Sequence, residues 1–469
     1  MLTKQDIYLR LPQKVQQLAV WSASLNNRLL RYGATYSKTL EQARASERWP
    51  AERMRGYQAE QLAALLNEAK RGTRYYAEAF AAHPDHQLAE IAASLDLGAL
   101  PLLEKKVLKQ RTPDFFNSLR RRATSSATSG STGSPLVVEY DRHSIQQRMA
   151  FVHRHREWFG APPLARAVRL SGREVVSPEQ RRPPYWVENP LEHQLLVSTY
   201  HLRAEALPAI ADRISRFRPQ VIDGYPTAIA QVARYFDGKV NWPGLLAVVT
   251  TAETLTPDLR ETIEGGLGVR VYDYYAASEG VPLIQQCGHG AYHLRPETGV
   301  FEVLGPDGKE VGPGEVGELV VTGFCQWKTP LIRYRTGDWV RKPAADLAPC
   351  TCGRTLPVVA EVLGRLEDLV VTPDGRQIGM FSYRTIKHVP GIREAQIVQR
   401  APQDFLVRWV PEGTREASAI ATDVQHVFAR VLAYEPKVEM QQVPHIERGP
   451  TGKFRSTIRT FAVSPERPS

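Results

Sequence analysis

The chain has 469 residues, and its 60 lysines and arginines outnumber its 50 aspartates and glutamates, which gives a formal net charge of +10. Its apolar content of 42% is ordinary for a globular protein, and no run approaches the ~20 apolar residues that cross a bilayer. This composition excludes a collagen, a disordered tail protein, a disulfide-rich mini-protein and a membrane bundle. The N-terminus has no apolar signal core and there are only four cysteines, so we expect a cytoplasmic protein of two or three domains.

The first ~90 residues have the apolar periodicity of helices. One stretch repeats apolar residues from Val15 to Leu29 at helical spacing and stops at Gly33. A second, YQAEQLAALLNEAKRG, places Leu62, Leu65 and Leu66 on one face. We expect the apolar faces of both stretches to pack on the main body, with an interaction or membrane-surface arm as the alternative.

The basic charge is concentrated in two stretches. Residues 1–60 carry 10 basic and 5 acidic side chains, and residues 121–182 carry 11 and 5. Three explanations remain open at this point: a solvated basic surface, a phosphate-rich ligand, or attraction to nucleic acid or an anionic membrane.

From about residue 97 short strand-like runs alternate with helical segments, which indicates an α/β fold with a partly parallel sheet. The strand-like runs are LVVEY (136–140), RAVRLSG (166–172), VIDGY (221–225), LLAVVTTAE (245–253) and VRVYDYY (269–275). The chain becomes rich in strands after ~300. Residues from ~366 read as a small α+β unit, with strands at 394–399 and 405–410 and a helix at 416–433.

Several short segments suit phosphate and nucleotide chemistry. In chain order they are TSGSTGSP (128–135), YYAASEG (274–280), YRTGDWV (334–340), GRLEDLVV (364–371) and GPTGKFR (449–455). The first offers hydroxyls and open backbone N–H groups to phosphate oxygens. Alone this loop is weak evidence, because most Ser/Gly loops bind nothing. The five segments in this order, however, rarely occur together by chance.

The ordered set resembles the adenylate-forming superfamily of acyl-CoA synthetases over residues ~100–469. LPLLEKKVLKQ, TTAETLTPDLRETIE and CTCGRTLP make the chain most similar to the branch of phenylacetate–CoA ligases and CapK-type proteins. The resemblance implies an α/β fold, with a large adenylation domain of mixed parallel sheets and a small mobile α+β C-terminal domain. We expect a basic helical extension at 1–95, the main domain at 96–365 and the C-terminal domain at 366–469.

The same resemblance implies the residues that bind ATP and Mg²⁺. The phosphates would lie in the loop, Glu279 would hold Mg²⁺, Asp338 would bind the ribose, and Arg365 would approach the ribose or α-phosphate. The residues assigned to the nucleotide are Ser129, Gly130, Ser131, Thr132, Gly133, Glu253, Tyr275, Ser278 and Asp338. Lys453 would contact the carboxylate and α-phosphate during adenylation, and Glu367 and Asp368 would form the hinge.

The chain departs from the family pattern at two positions. Ser134 stands where family loops often have lysine, and Ala276 replaces the usual glycine after Tyr275. The acyl pocket should be walled near Tyr225, Pro226, Ala252 and Tyr274, with Thr251 beside the adenine.

Three cysteines and a histidine have the spacing of a zinc site. Cys287 and His293 lie 63 and 59 residues before Cys350 and Cys352, so that the four could form a tetrahedral Cys₃His site. Some relatives in the resembled branch have such a structural zinc. His289 competes with His293, reduced thiols without metal are the alternative, and Cys325 is expected in the core.

These features favour an ATP-dependent ligase that adenylates an aryl or small carboxylic acid and transfers the acyl group to coenzyme A or an amine. The N-terminal extension favours the amine. A non-catalytic nucleotide- or partner-binding protein on the same scaffold is the alternative, motivated by Ser134 and Ala276. A nucleic-acid or membrane-surface protein is a third hypothesis. No nucleic-acid-binding module is visible in the sequence.

Overall fold

The computed structural model describes residues 4–122, 124–127, 136–240, 242–365, 370–374, 377–378, 381–386, 389–448 and 454–461. Its helices are α1 Lys4–Arg10, α2 Gln13–Arg31, α3 Ala34–Ser46, α4 Ala51–Gly72, α5 Arg74–Ala79, α6 Asp85–Ser94, α7 Lys105–Gln110, α8 Arg142–Glu157, α9 Leu207–Phe217, α10 Pro226–Phe236, α11 Pro257–Leu267, α12 Phe381–Thr385 and α13 Ala417–Leu432.

Its strands are β1 Thr124–Ala127, β2 Val137–Tyr140, β3 Ala167–Ser171, β4 Trp186–Asn189, β5 Gln194–Ser198, β6 Val221–Gly224, β7 Ala247–Thr251, β8 Val271–Tyr275, β9 Ile284–Gln286, β10 Tyr292–Leu294, β11 Gly299–Leu304, β12 Val316–Gly323, β13 Tyr334–Arg341, β14 Val358–Val359, β15 Glu361–Arg365, β16 Val370–Val371, β17 Gln377–Ile378, β18 Ile392–Ala401, β19 Asp404–Pro411, β20 Lys437–Gln442 and β21 Thr457–Arg459. The five strand-like runs predicted between residues 136 and 275 contain β2, β3, β6, β7 and β8 of this set.

A nine-stranded sheet forms the centre of the main domain, in the order β14-β10-β9-β8-β7-β6-β3-β5-β4. The five strands from β8 to β5 run parallel, and antiparallel strands flank them on both sides. Helices α9, α10 and α11 cover one face with apolar side chains such as Ile210, Ile229 and Ile263. The predicted α/β fold with a partly parallel sheet is therefore confirmed, and the carboxyl ends of the parallel strands form one edge where a ligand can bind.

A second, antiparallel sheet in the order β11-β12-β13-β15 carries the YRTGDWV segment. Helix α4 packs on it, and Leu62, Leu65 and Leu66 are fully buried in the shared core. This confirms the apolar face predicted for the second helical stretch.

Helix α2 contradicts the apolar face predicted for the first helical stretch. It contacts the main domain, but its buried residues are Gln16 and Ser24. The apolar side chains that were expected to pack are exposed instead: Val15 41%, Leu18 60%, Trp21 45%, Leu25 56% and Leu29 61%. The helix docks through side-chain to backbone hydrogen bonds, such as Arg28 Nη1 to Leu191 O at 2.8 Å.

The C-terminal part has a core of its own. Strands β20-β19-β18-β21 form a sheet against α13, and Phe381, Phe405 and Phe428 pack together in the core. The two predicted strands lie within β18 and β19, and the helix predicted at 416–433 contains α13. Within the described ranges, no helix is long and apolar enough to cross a membrane.

Candidate active site and metal cluster

Tyr275, Asp338 and Arg365 meet where the two sheets of the main domain adjoin. Tyr275 ends β8, and Asp338 on β13 pairs in register with Arg365 at the end of β15. The Tyr275 hydroxyl donates to Asp338 Oδ2 at 2.7 Å, and Arg365 Nε lies 3.8 Å from Oδ1. Gly337, just before Asp338, has φ +75°, a conformation that favours glycine. The structure thus brings together three predicted nucleotide residues.

The electrostatics of this cluster depend on burial and on one cation. Burial raises the pKa of Asp338, and the positive charge of Arg365 and the hydrogen bond from Tyr275 partly offset it. Burial also raises the pKa of the Tyr275 phenol well above its usual value, and the neighbouring Asp338 charge adds to this. The phenol is therefore a hydrogen-bond donor at neutral pH.

Glu279 is buried in the loop after β8 and forms an ion pair. Lys105, the first residue of α7, donates from Nζ to Glu279 Oε1 at 2.8 Å, and the Tyr334 hydroxyl lies 3.4 Å from the same oxygen. Burial opposes ionisation of Glu279, but the Lys105 ammonium outweighs it and lowers the pKa of the carboxyl. The carboxylate is therefore ionised at neutral pH.

Ser278 is exposed next to Glu279, and its backbone is anchored. The Tyr140 hydroxyl, at the end of β2, donates to Ser278 O at 2.5 Å. Strand β1 pairs antiparallel with β2, and Tyr140 lies opposite Thr124 in that pair.

Glu253 follows β7 and joins the main domain to the C-terminal part. Its Oε2 accepts from Thr227 Oγ1 at 2.7 Å, and its Oε1 accepts from the Phe454 backbone N–H at 2.8 Å. Burial raises the pKa of this carboxyl, although the hydrogen bonds oppose the shift. The preceding residue, Ala252, has φ +70°, an unusual conformation for a side chain with a Cβ.

Cys287, His293, Cys350 and Cys352 converge, with their ligand atoms all within 4.8 Å of one another. Cys287 Sγ lies 3.7 Å from Cys350 Sγ, and Cys352 Sγ lies 3.3 Å from His293 Nε2. A tetrahedral zinc with ordinary bond lengths puts two sulfurs about 3.8 Å apart, and a sulfur and a nitrogen about 3.5 Å apart. The donor set and its spacing therefore fit zinc.

The outer contacts of the cluster favour His293 over His289. His293 Nδ1 lies 3.2 Å from Leu356 O, so an Nδ1–H donates there and Nε2 faces the sulfurs. His289 Nδ1 instead lies 3.0 Å from Thr351 Oγ1. Cys325 is buried at 2% exposure, as expected for a core residue.

Comparisons with known proteins point to one family. Residues 370–460 match the family model of the CapK C-terminal domain. The chain is 25% identical to the protein CapK of Staphylococcus aureus, over 85% of this chain and 87% of that protein. It is 27% identical to the phenylacetate–coenzyme A ligase of Thermus thermophilus, over 72% and 75%.

Over most of its length the chain is similar to CapK and to the phenylacetate–CoA ligases, which confirms the predicted resemblance to this branch of the adenylate-forming superfamily. Its fold is also that of 2-hydroxyisobutyryl-CoA ligase in the post-adenylation state, with a TM-score of 0.68 at 19% identity over 88% of this chain and 91% of that one. The thioesterification state of the same enzyme gives a TM-score of 0.55.

Some of the residues predicted for the phosphate loop, the hinge and adenylation lie outside the described residues. They are Ser129, Gly130, Ser131, Thr132, Gly133, Ser134, Glu367, Asp368 and Lys453. Sequence reasoning missed Lys105 and Tyr334 as partners of Glu279. Lys105 stands in the LPLLEKKVLKQ segment, but nothing in the sequence separates it from Lys106, and only the position of α7 shows which one reaches the carboxylate.

Proposed function

We propose that the protein is an AMP-forming ligase that activates a carboxylic acid with ATP and passes the acyl group to coenzyme A. The observation that carries this proposal is the convergence of Tyr275, Glu279, Asp338 and Arg365, from three separate motifs, on one edge of the molecule. A scaffold without nucleotide chemistry has no reason to hold these groups together.

Each residue has a role that its surroundings support. Asp338, oriented by the Tyr275 hydroxyl, would accept hydrogen bonds from both ribose hydroxyls. Glu279 would hold Mg²⁺, which neutralises phosphate charge when it is bound. Arg365 would approach the α-phosphate, and Ser129, Ser131 and Thr132 would surround the outer phosphates. The acid's carboxylate then attacks the α-phosphorus and pyrophosphate leaves.

We propose that residues 366–469 form a mobile unit that closes on the site for adenylation and brings Lys453 to it. Two described residues support this. Phe454 donates its backbone N–H to Glu253 at 2.8 Å, and the Arg448 guanidinium lies 4.4 Å from the centre of the Phe454 ring. Greater similarity to the post-adenylation than to the thioesterification structure of a fold relative agrees with this arrangement.

Coenzyme A is the acceptor that the relatives support. Phenylacetate–coenzyme A ligases match at 27% identity over 68–72% of the chain, and the solved neighbours are acyl-CoA ligases. The alternative acceptor is an amine, which the N-terminal extension favours from sequence alone. The experiment below distinguishes the two acceptors.

We also propose that Cys287, His293, Cys350 and Cys352 hold a structural zinc. The four ligands leave no open position for substrate. The site would join the β9–β10 hairpin to the segment before β14, and so fix the loop beyond Glu279 against the second half of the domain.

The test is ATP–pyrophosphate exchange over a panel of acids, with hydroxylamine trapping of acyl-adenylates. One or a few acids should support exchange, and added coenzyme A should displace AMP from the acyl-adenylate to give a thioester in place of the hydroxamate. Lys453→Ala should abolish exchange and spare ATP binding measured by calorimetry, whereas Lys309→Ala on the surface should change neither. ATP binding without exchange for any acid would favour the non-catalytic alternative, and acyl transfer to amines alone would exclude coenzyme A.

A further inference from the structure

Four arginines and two carboxylates lie around β3 and β6 and the turn that precedes β5. Asp223 accepts from Arg169 Nε at 2.8 Å and from Arg156, and Glu192 accepts from Arg31 Nη1 at 2.5 Å. Arg173, two residues beyond β3, is the fourth arginine. The side chains come from the sheet and from helices α2 and α8, and we call this group the arginine chamber. It has two positive charges more than its carboxylates neutralise.

The surplus charge lies on Arg169 and Arg173. Arg169 is on a strand with parallel neighbours on both sides, yet its side chain is 39% exposed, so open space lies against this face of the sheet. Among the residues that the structure describes, no carboxylate lies within ion-pair distance of Arg173. The Arg173 side chain reaches solvent, but partial desolvation by its neighbours lowers its pKa, and the charges of Arg169 and Arg31 lower it further, so an anion placed beside these cations would be stabilised.

The arginine chamber adjoins the expected acyl pocket. His155, the neighbour of Arg156 on α8, stacks on Tyr274 with ring centres 5.8 Å apart, and Tyr274 is an expected wall of that pocket. Strands β8 and β3 are three spacings apart in the sheet, which is about 14 Å. An extended acid with its reactive carboxylate near β8 therefore reaches the chamber with its far end.

We propose that the acid substrate carries a second anionic group, a carboxylate or a phosphate, which binds in the arginine chamber at Arg169 and Arg173. This inference rests on the proposed function and narrows its substrate class. A purely aryl or alkyl acid would place an apolar group against the surplus cations and remove part of their hydration without replacing it, which is unfavourable.

The experiment compares acids that differ only at the far end. Dodecanoate is compared with dodecanedioate and 12-phosphonododecanoate, whose extended chains span the three strand spacings, by kcat/KM in ATP–pyrophosphate exchange. The anionic member should be preferred by about tenfold or more, because a charge-assisted hydrogen bond contributes that much. The kcat/KM of the dicarboxylic acid against that of the phosphono acid shows whether the second anionic group is a carboxylate or a phosphate.

Variants assign the preference to the chamber. Arg173→Gln should remove most of the preference, Arg173→Lys should retain part of it, and Arg181→Gln on the surface should leave it unchanged. The inference is overturned if the neutral acids have the higher kcat/KM, or if Arg173→Gln keeps the full preference for the anionic acids. Either result leaves the proposed function standing. Exchange with no acid of this or a broader panel overturns both.

A second inference rests on a different observation, the inverted polarity of α2. Val15, Leu18, Trp21, Leu25 and Leu29 fall within about 120° around the helix axis and are all exposed. Ile7 on α1 is also exposed, at 50%. These side chains are six of the ten large exposed apolar residues among those described, and we call them the α2 stripe.

The charge around the α2 stripe is of one sign. Residues 7–40 contain five basic residues and no acidic residue. Arg28 and Arg31 contact Leu191 and Glu192 of the main domain. The exposed charge is therefore that of Arg10, Lys14 and Lys38. A second copy of the chain docked about a two-fold axis would bring these cations together and cost free energy. An anionic surface complements them, and exposed leucines and a tryptophan on a basic helix are the pattern of a helix that lies in a membrane interface.

We infer that the α2 stripe binds the surface of an anionic lipid bilayer. The test is cosedimentation with vesicles of phosphatidylcholine alone or with about a third phosphatidylglycerol, at low and high salt. The protein should bind the anionic vesicles, less so at high salt. Leu18→Glu with Leu25→Glu should weaken binding at least about tenfold, since it removes two apolar anchors and adds two negative charges.

The matched control is Leu119→Glu with Leu347→Glu, which changes two leucines that are equally exposed, at 57% and 54%, elsewhere on the surface. This control should bind as the unchanged protein does. No binding to anionic vesicles by the folded protein overturns the inference. A dimer in light scattering that dissociates in the α2 variant, without vesicle binding, overturns it in favour of a second copy.

Discussion

Lys105 sets the charge of Glu279, and replacing it should shift the pH dependence of adenylation. The Lys105 ammonium lowers the pKa of Glu279 against the effect of burial, so in Lys105→Met burial acts with less opposition and that pKa rises. Activity needs the carboxylate, so we expect the acid limb of the rate to move to higher pH by about one unit or more. The measurement is the pH profile of ATP–pyrophosphate exchange.

Lys106→Met is the matched control, because Lys106 is the exposed neighbour on the same helix. Its acid limb should match that of the unchanged protein, and equal limbs for both variants would contradict the role of Lys105. Stability should follow the same sign. The folded pKa of Glu279 is depressed, so the contribution of the ion pair is present at neutral pH and is lost as pH falls through that lowered pKa.

Tyr275 orients Asp338, and its hydroxyl should contribute to ATP affinity. Tyr275→Phe keeps the ring and removes the donor to Asp338 Oδ2, which frees the carboxylate to turn from the ribose position. We expect ATP to bind about fivefold more weakly, the effect of one neutral hydrogen bond. Calorimetric titration with ATP measures it. Tyr292→Phe removes a comparable Tyr–Asp hydrogen bond outside the site and should leave ATP affinity unchanged.

Sequence motifs predicted which residues of the site meet, but not all of their partners. Tyr275, Glu279 and Asp338 stand in short ordered segments that identify them. Lys105 lies 174 residues before Glu279, and a pair so distant in sequence has no local signal. Which lysine reaches Glu279 depends on the orientation of α7, and tertiary packing determines that orientation.

The Cys/His cluster joins two elements, so its loss should destabilise the main domain as a whole. Cys352→Ser should lower bound zinc from about one per chain towards zero, and should lower the melting temperature by about 5 °C or more. Elemental analysis and thermal unfolding check the two parts. Cys325→Ser is a control for loss of a buried thiol, and should keep its zinc. Protein without zinc when purified in the absence of chelators would contradict the site.

At the scale of elements, the apolar pattern predicted where α2 and α4 lie in the chain, but not which face of α2 is buried. The stretches that became α2 and α4 have the same apolar spacing, and both are helices. Yet α4 buries its leucines, whereas α2 buries Gln16 and Ser24 and exposes its apolar face. Apolar periodicity shows that a helix has an apolar face. It does not show whether that face packs on the rest of the chain, as in α4, or binds an external surface, as we infer for α2.

For the whole molecule, alternating strands and helices predicted a partly parallel sheet, and the five parallel strands confirm it. The antiparallel strands at its edges were not predicted, since short strands such as β9, β10 and β14 have no periodicity of their own. The separate C-terminal core follows from the strands and helix predicted there. The docking of the two parts does not follow from it, because the described hydrogen bond between them, from the Phe454 N–H to Glu253, uses a backbone group that has no sequence signal.

The contact between Phe454 and Glu253 should report whether the C-terminal part is docked. Its backbone N–H donates to a buried carboxylate, so the amide should exchange with solvent only when the two parts separate. Glu253→Ala should speed that exchange about 10- to 100-fold, the effect of a hydrogen bond to a charged group. Glu253→Gln keeps an acceptor oxygen and should restore part of the protection, and Glu205→Ala on the surface should change nothing. Hydrogen exchange of the Phe454 amide measures this, and equal exchange in all four proteins would show that the parts do not dock through Glu253.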